Sequence, residues 1–227
     1  MSDPGQDASG HRARLRARLI NGGPDALLDH ELVEYLLALA IPRRDTKPLA
    51  RQLLAAFGGL GPLLSADGDS LARIGGLTEG SVAALKIAQA AALRLLKTEV
   101  AGKPVLGSWQ VLIDYLTADM AHRATERVRV LYLNSKNMLI RDEAISEGSV
   151  DEAAVYVREI VRGAIDCGAT ALILVHNHPS GDPRPSAQDI RLTKDIVDAG
   201  KHLRLTVHDH VIVASTGHAS MRAMGLL

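Results

Sequence analysis

The sequence predicts an α/β (α+β) protein, with an all-helical N-terminal domain over residues 1–100 and a C-terminal mixed-sheet domain over residues 104–227. Two observations predict this division. In residues 1–100 apolar side chains recur at helical spacing, whereas beyond residue 104 short aliphatic runs alternate with amphipathic helical segments. Between the two, Glu99 to Ser108 contains glycine and proline and is the best linker candidate.

The helical domain is divided by residues that begin and end helices. Asp29 is a good capping residue for a helix that Pro42 ends. Thr46 opens the next helix, which the pair Gly58-Gly59 stops. Both segments carry leucines at helical spacing, so we expect them to pack against each other in a small aliphatic core.

Residues 70–97 resemble a helix-hairpin-helix, in which a turn at Gly76-Leu77 joins a short helix to a second helix that ends at Leu96. Backbone N–H groups at the start of the second helix of such a hairpin can bind a DNA phosphate. Thr78 stands where these hairpins usually have their second glycine. A hairpin that only packs within the helical domain is therefore the alternative to a DNA-binding one.

Alternating helices and strands follow the linker, which is the pattern of a mixed sheet covered by helices. A turn at residues 134–137 joins the first two strands into a hairpin. The predicted elements are a helix from Ser108 to about Asp119, strands from Val128 to Leu133 and from Met138 to about Ile145, a helix from Val155 to Cys167, a strand from Leu172 to His178, a helix from Ser186 to Ala199, and strands from Arg204 to Val207 and from His210 to Ala214.

Composition argues against several classes of protein. Aromatic residues are 3% of the chain, so stacking on bases is not a main binding mode, and the zero formal net charge weakens nucleic-acid binding. Cys167 is the single cysteine and cannot form an internal disulfide. The chain begins with no apolar signal segment and contains no membrane-spanning run, so we expect a cytoplasmic protein with no membrane partner.

One short segment carries a predicted metal site. His176 and His178 end an aliphatic run, and in an extended strand their spacing points both imidazoles to the same face. After a turn-rich loop, Ser186 can cap a helix and places Asp189 in its first turn. Two neutral imidazoles and one carboxylate leave a fourth position on zinc open for water, which is typical of hydrolytic sites. The histidine pair and the capped aspartate are each ordinary structural features when they occur alone. Their occurrence together in one segment favours a metal site.

A hydrolytic metal also needs a base that takes a proton from water and returns it to the leaving group. Asp182 lies on the loop itself, whereas Asp142, Glu143 and Glu147 lie on the returning strand of the hairpin. Strand alternation puts Asp142 and Glu143 on opposite faces. Spacing alone does not decide which face meets the metal.

The motifs together resemble the RadC family, whose C-terminal half is a JAMM (JAB/MPN-type) metalloprotease-like domain. The resemblance rests on HNHPSGDPRPSAQDI from His176, on SEGSVD from Ser146, on the pair Asp209-His210, and on the N-terminal stretch at residues 11–50. It therefore covers nearly the whole chain. It implies a helical N-terminal domain followed by a JAB/MPN-like, cytidine-deaminase-like fold.

The resemblance also implies roles for single residues. His176, His178 and Asp189 fall on the three zinc ligands, Glu143 on the general acid/base, and Ser186 on the serine that steadies the tetrahedral intermediate. The pair Asp209-His210 is given only a supporting or packing role, because metal-bound histidines commonly donate their other N–H to an acceptor.

The resemblance favours a zinc-dependent hydrolase with metallopeptidase or isopeptidase-like chemistry, acting on an unknown peptide or protein substrate. An alternative is a DNA-associated protein of repair or recombination, which binds DNA through its N-terminal domain and uses the metal domain as a nuclease or scaffold. A third reading is a non-catalytic interaction module. Such modules usually lack a ligand, whereas this chain keeps all three.

Overall fold

The computed structural model describes residues 4–101, 103–148 and 155–227, so the last three residues of SEGSVD lie outside the described residues. The chain divides into two compact units between Ala92 and Leu93. This boundary falls inside a long helix, several residues before the predicted linker. In the described residues no helix combines the length and the apolar character that a bilayer crossing requires.

The N-terminal unit is helical, as predicted. Its buried core consists of aliphatic side chains, mainly leucines such as Leu37, Leu53 and Leu85. The helices are α1 Pro4–Gly22, α2 Asp29–Ala40, α3 Lys47–Phe57, α4 Leu60–Ser65, α5 Gly68–Ala72 and α6 Glu79–Ala101, with a short 3₁₀ turn at Pro24–Ala26.

The ends of α2 and α3 agree with the prediction, whereas α6 continues to Ala101, beyond the predicted end at Leu96 and into the predicted linker. The capping groups also differ. Asp29 is the first residue of α2 rather than its cap, and the backbone N–H of Leu28 donates to the Glu31 carboxylate at 3.0 Å. Thr46 precedes α3 as expected, but its hydroxyl donates to the Glu34 carbonyl at 2.8 Å instead of capping the helix. Gly58 ends α3 in the left-handed conformation that glycine favours.

The hairpin between α5 and α6 turns at Gly76, whose φ of +98° requires glycine. Two backbone N–H groups around the start of α6, those of Thr78 and Ser81, have partners within the turn and the helix. Thr78 N–H donates to the Ser81 hydroxyl at 2.7 Å, and Ser81 N–H donates to the Thr78 hydroxyl at 3.2 Å. Arg44 donates to the Gly76 carbonyl at 3.2 Å, so its side chain covers the turn.

The C-terminal unit contains a five-stranded mixed sheet, which confirms the predicted α+β class. The order is β2-β1-β3-β4-β5, with β3 and β4 parallel and the other neighbours antiparallel. The strands are β1 Glu126–Leu133, β2 Leu139–Gly148, β3 Ala171–Asn177, β4 Thr206–Ala214 and β5 Gly217–Ser220, and the helices are α7 Trp109–Met120, α8 Val157–Asp166 and α9 Ala187–Leu203.

The sheet has an aliphatic core on each face. Alternate residues of β3 divide between them: Ile173 and Val175 pack on the side of α7, whereas Leu172 and Leu174 pack on the side of α8 and α9. By this alternation His176 belongs to the face covered by α8 and α9. The functional side chains at the end of β3 are therefore expected on that face.

Two predicted strands, Arg204 to Val207 and His210 to Ala214, form the single strand β4, and β5 was not predicted. The polar pair Asp209-His210 is buried within β4. Asp209 accepts hydrogen bonds from the Ser220 hydroxyl and from Arg222 N–H, the latter at 3.0 Å. Because the strand partner supplies these donors, a buried carboxylate is tolerated inside the strand.

Candidate metal centre

The two histidines of the predicted site meet where β3 ends. His176 is the sixth residue of β3 and is 1% exposed. His178 is the first residue after the strand and precedes Pro179. Their Nε2 atoms lie 2.9 Å apart. The Nδ1 atom of His178 lies 2.8 Å from the Asp182 carbonyl, which can only accept, so this nitrogen carries the proton and Nε2 keeps a lone pair.

Asp189 approaches the same point from the first turn of α9. The Ser186 hydroxyl accepts a hydrogen bond from Asp189 N–H at 3.2 Å, and Ser186 N–H donates to Asp189 Oδ2 at 2.6 Å. This reciprocal cap explains why Ser-x-x-Asp occurs here, since it begins the helix and fixes the carboxylate together. Asp189 Oδ1 then lies 3.3 Å from His176 Nε2, and Oδ2 lies 3.6 Å from His178 Nε2.

These spacings fit a single divalent ion. Zinc binds nitrogen and oxygen at about 2.0–2.1 Å, so two ligands of a tetrahedral site lie about 3.3 Å apart. The 2.9 Å between the two Nε2 atoms and the 3.3 Å from His176 Nε2 to Asp189 Oδ1 lie close to that value, and Asp189 approaches His178 with its other oxygen at 3.6 Å. His176, His178 and Asp189 are the group of ligand-type side chains whose atoms all lie within 4.8 Å of one another among the described residues. The predicted ligand set is therefore brought together.

The charges around this point favour a cation. Burial alone would raise the pKa of Asp189, but hydrogen bonds with His176 and His178 hold that pKa far below its usual value. The hydrogen bond with Asp189 raises the pKa of His178, burial opposes the rise, and the negative charge of Glu126 adds to it. A carboxylate held ionised beside two imidazoles is what a divalent ion requires of its ligands.

A cavity of about 360 Å³ opens over the three ligands. Its lining combines polar and apolar side chains. The lining includes Glu126, Val128, Val155, Ser186, Gln188 and Leu192. A substrate that enters this cavity meets the metal ligands, a carboxylate and a hydroxyl.

Glu143, predicted as the general acid/base, is not brought to this cavity. It pairs with Val130 on β1, two residues along the strand from Val128, which is the residue that pairs with His176. Two strand spacings and two residues correspond to roughly 12 Å between the Glu143 and His176 backbones. The Glu143 carboxylate instead lies 2.5 Å from an Arg141 guanidinium nitrogen. The base role therefore needs another residue.

Glu126 is the carboxylate that the cavity contains, and the sequence reasoning missed it. It is the first residue of β1, and the antiparallel register Val128↔His176 puts Glu126 opposite His178 when it is extended by two positions. Glu126 and Val128 share a face because strand side chains alternate. The position of Glu126 at the start of a strand could have indicated this placement, since the start of one antiparallel strand lies beside the end of its neighbour.

Comparison with known proteins agrees with this geometry. The sequence model of the family described as RadC-like JAB domain matches residues 106–226. The chain belongs to the RadC family. A UPF0758 protein of Rhodobacter capsulatus is 50% identical over 213 residues, which cover 94% of this chain and 100% of that protein. The RadC match contains the three metal-ligand candidates, Ser186 and Glu126, whereas the relative also covers most of the helical unit.

Of the pair Asp209-His210 in this RadC chain, only His210 lies directly behind the metal-ligand candidates, since Asp209 pairs with Ile173 and faces the other side of the sheet. His210 is 1% exposed, and its Nε2 lies 2.8 Å from His176 Nδ1. Burial holds the pKa of His210 well below its usual value, with the neighbouring His176 acting in the same direction. His210 is therefore a neutral imidazole that contacts the ring nitrogen facing away from the metal position.

Proposed function

We propose that this chain is a zinc-dependent hydrolase that cleaves an amide bond in a peptide or protein. The observation that carries this proposal is the tetrahedral spacing of two imidazole nitrogens and one carboxylate, with Glu126 in the same cavity. A bound zinc ion supplies Lewis-acid polarisation of a carbonyl and acidifies a water molecule. His176, His178 and Asp189 would hold that ion.

Glu126 would act as the general acid/base. Its carboxylate takes a proton from the attacking water and later donates that proton to the departing amine nitrogen, which breaks the carbon–nitrogen bond. Glu126 lines the cavity, and its charge acts on His178, so it is close enough to serve a substrate held there. Glu143 would take no part in this step, because its carboxylate is paired with Arg141.

Ser186 would stabilise the developing oxyanion. Its hydroxyl oxygen accepts from Asp189 N–H, which leaves its single proton available to a substrate in the cavity. A hydrogen bond to an oxyanion strengthens as negative charge develops, so it lowers the barrier more than it strengthens substrate binding. The same residue thus orients one metal ligand and contacts the reacting carbonyl.

Amide hydrolysis is favoured over phosphodiester hydrolysis by the ligand set. Nucleases commonly gather carboxylates around magnesium, whereas two imidazoles and one carboxylate suit zinc. The helix-hairpin-helix-like turn gives DNA binding little support. The backbone N–H of Thr78, at the start of α6, is occupied by Ser81, and Arg44 covers the turn at Gly76. A non-catalytic interaction module usually lacks a metal ligand, whereas this chain keeps all three ligand candidates, so that alternative gains no support.

The test compares metal-loaded and metal-free protein on one pool of peptides. The purified chain is stripped with a chelator, and half is reloaded with one equivalent of zinc. Each sample is incubated with a proteome-derived peptide pool, and new amino termini are identified by mass spectrometry. We expect new termini in the reloaded sample alone. Tight zinc binding without any new termini would contradict the hydrolase proposal, and absence of zinc binding would contradict the site itself.

A further inference from the structure

A chain of buried hydrogen bonds runs from the backbone of one metal-ligand candidate to the ring of another. It begins at the Asp189 carbonyl, which lies 2.6 Å from the Thr193 hydroxyl oxygen. That oxygen lies 2.6 Å from His210 Nδ1, and His210 Nε2 lies 2.8 Å from His176 Nδ1. Thr193 and His210 are each 1% exposed, so these bonds are made inside the protein.

The direction of every bond in this chain follows from its first acceptor. A carbonyl oxygen cannot donate, so the Thr193 hydroxyl proton must point to Asp189. The Thr193 oxygen then has only lone pairs to offer His210, and His210 Nδ1 must carry the proton between them. The Met221 sulfur, 3.6 Å from the Thr193 oxygen, is a weaker acceptor and does not change this assignment.

The last bond determines the tautomer of His176. A neutral His210 that is protonated on Nδ1 has a lone pair on Nε2, so it accepts a proton from His176 Nδ1. His176 is therefore protonated on Nδ1 and keeps a lone pair on Nε2, the atom that faces His178 and Asp189. In the opposite tautomer an N–H would point at the metal position and block it.

We propose that Thr193 and His210 are positioning residues that hold His176 in the tautomer able to bind the metal. This role rests on the metal site of the proposed function, but it does not depend on which bond is cleaved. It also explains why a histidine and a threonine are buried behind the ligands. Thr193 does not line the cavity, and His210 borders it while contacting His176 through the ring nitrogen that faces away from the metal position.

Removing the Thr193 hydroxyl should reverse the direction of the hydrogen bond between His210 and His176. In Thr193→Val the side-chain shape is kept, but His210 Nδ1 loses its acceptor. Moving the proton to Nε2 removes this unpaired buried donor and reverses the existing bond, so that His210 donates to His176 Nδ1. His176 must in turn carry its proton on Nε2, which opposes metal binding. Thr193→Ser keeps the hydroxyl and is the matched control.

The first measurement is zinc affinity, obtained by competition with a chromogenic chelator. Loss of a hydrogen-bonding partner behind a metal ligand typically weakens affinity about 10–100-fold, and we expect a loss in this range for Thr193→Val. Thr193→Ser should bind zinc as the wild type does. Equal affinity in all three proteins would overturn the role of Thr193.

The second measurement reads the tautomer in metal-free protein, from nitrogen-15 chemical shifts of the histidine rings. We expect His176 protonated on Nδ1 in wild type and Thr193→Ser, and on Nε2 in Thr193→Val. A wild-type His176 protonated on Nε2 would overturn the proposal even if the valine variant failed to fold. Tight zinc binding without peptide cleavage would contradict only the proposed reaction, so the two failures are distinguishable.

Discussion

Val128 pairs with His176 across the antiparallel β1–β3 ladder, and this register determines which carboxylate serves the metal centre. It brings Glu126, two residues before Val128, beside His178 and into the cavity. The same register leaves Glu143 one strand further away, on β2. Two glutamates of one hairpin are thus separated by the pairing of the sheet, and they should differ in function.

Glu126→Gln should abolish hydrolysis without removing the metal. The substitution keeps the size of the side chain but removes the group that accepts and returns the proton. General acid–base catalysis typically contributes about 10²–10⁴-fold, and we expect a decrease in kcat of that size. Zinc content, measured by mass spectrometry of the native protein, should equal that of wild type.

Glu143→Gln is the matched control on the same hairpin. Its carboxylate forms an ion pair with Arg141 at the protein surface, and such pairs contribute about 0–1 kcal/mol. We expect wild-type kcat and a small loss of stability. A large decrease in kcat for Glu143→Gln, with full activity in Glu126→Gln, would restore the role that the sequence assigned to Glu143.

The convergence of the three metal-ligand candidates could be predicted from sequence because it depends mainly on local structure. Two histidines at the end of an aliphatic strand and an aspartate in a capped first turn lie within one short segment. The choice of Glu126 over Glu143 depends on strand order and register, which local patterns do not encode. Likewise, β5 was missed because its residues, Gly217–Ser220, are short and half polar and become a strand only by pairing with β4.

Ser186→Ala should separate two functions of one hydroxyl. Loss of the cap to Asp189 N–H should cost about 1 kcal/mol of stability. Loss of the oxyanion donor should lower kcat about 10²–10³-fold. Asp67→Ala removes an equivalent cap from α5, where Asp67 accepts from Ser70 N–H at 2.7 Å, and is the control for capping alone. If both variants lose equal stability and keep full activity, Ser186 only caps its helix.

His178→Ala should abolish stoichiometric zinc binding, since two ligands cannot hold the ion against a chelator. His202→Ala, at the exposed end of α9, should bind one equivalent like wild type. Zinc at 100 times its Kd stabilises a folded protein by about 2.7 kcal/mol, so the thermal midpoint should rise on zinc addition in wild type and His202→Ala only. An equal rise in His178→Ala would place the metal elsewhere.

The opposite face of the sheet contains a buried charge cluster that tests stability independently of the metal. The Arg129 guanidinium, 6% exposed as a residue, binds the carboxylates of Asp119 and Asp142, and its third partner is the Tyr115 hydroxyl at 2.7 Å. Burial alone would raise the pKa of Asp142, but the hydrogen bonds and charge of Arg129 hold that pKa below its usual value. Ionised Asp142 therefore stabilises the fold above its unfolded-state pKa, and this contribution is lost as pH falls through the folded-state pKa.

Arg129→Met should cost about 3–5 kcal/mol at pH 7, because the two buried carboxylates keep only their more exposed cations, Arg123 beside Asp119 and Lys97 beside Asp142. Without Arg129 the pKa of Asp142 rises, because burial is then opposed only by the Tyr115 hydrogen bond and the Lys97 charge. Protonation of Asp142 therefore costs the variant less than it costs the wild type, and the stability deficit shrinks as pH falls. Urea unfolding at several pH values measures both effects, and the fluorescence of Trp109, the single tryptophan, reports this unit. Arg162→Met in α8 removes an exposed ion pair with Asp166 and should cost about 0–1 kcal/mol with little dependence on pH. A deficit in Arg129→Met that stayed constant with pH would mean that lost packing, rather than uncompensated charge, causes the destabilisation.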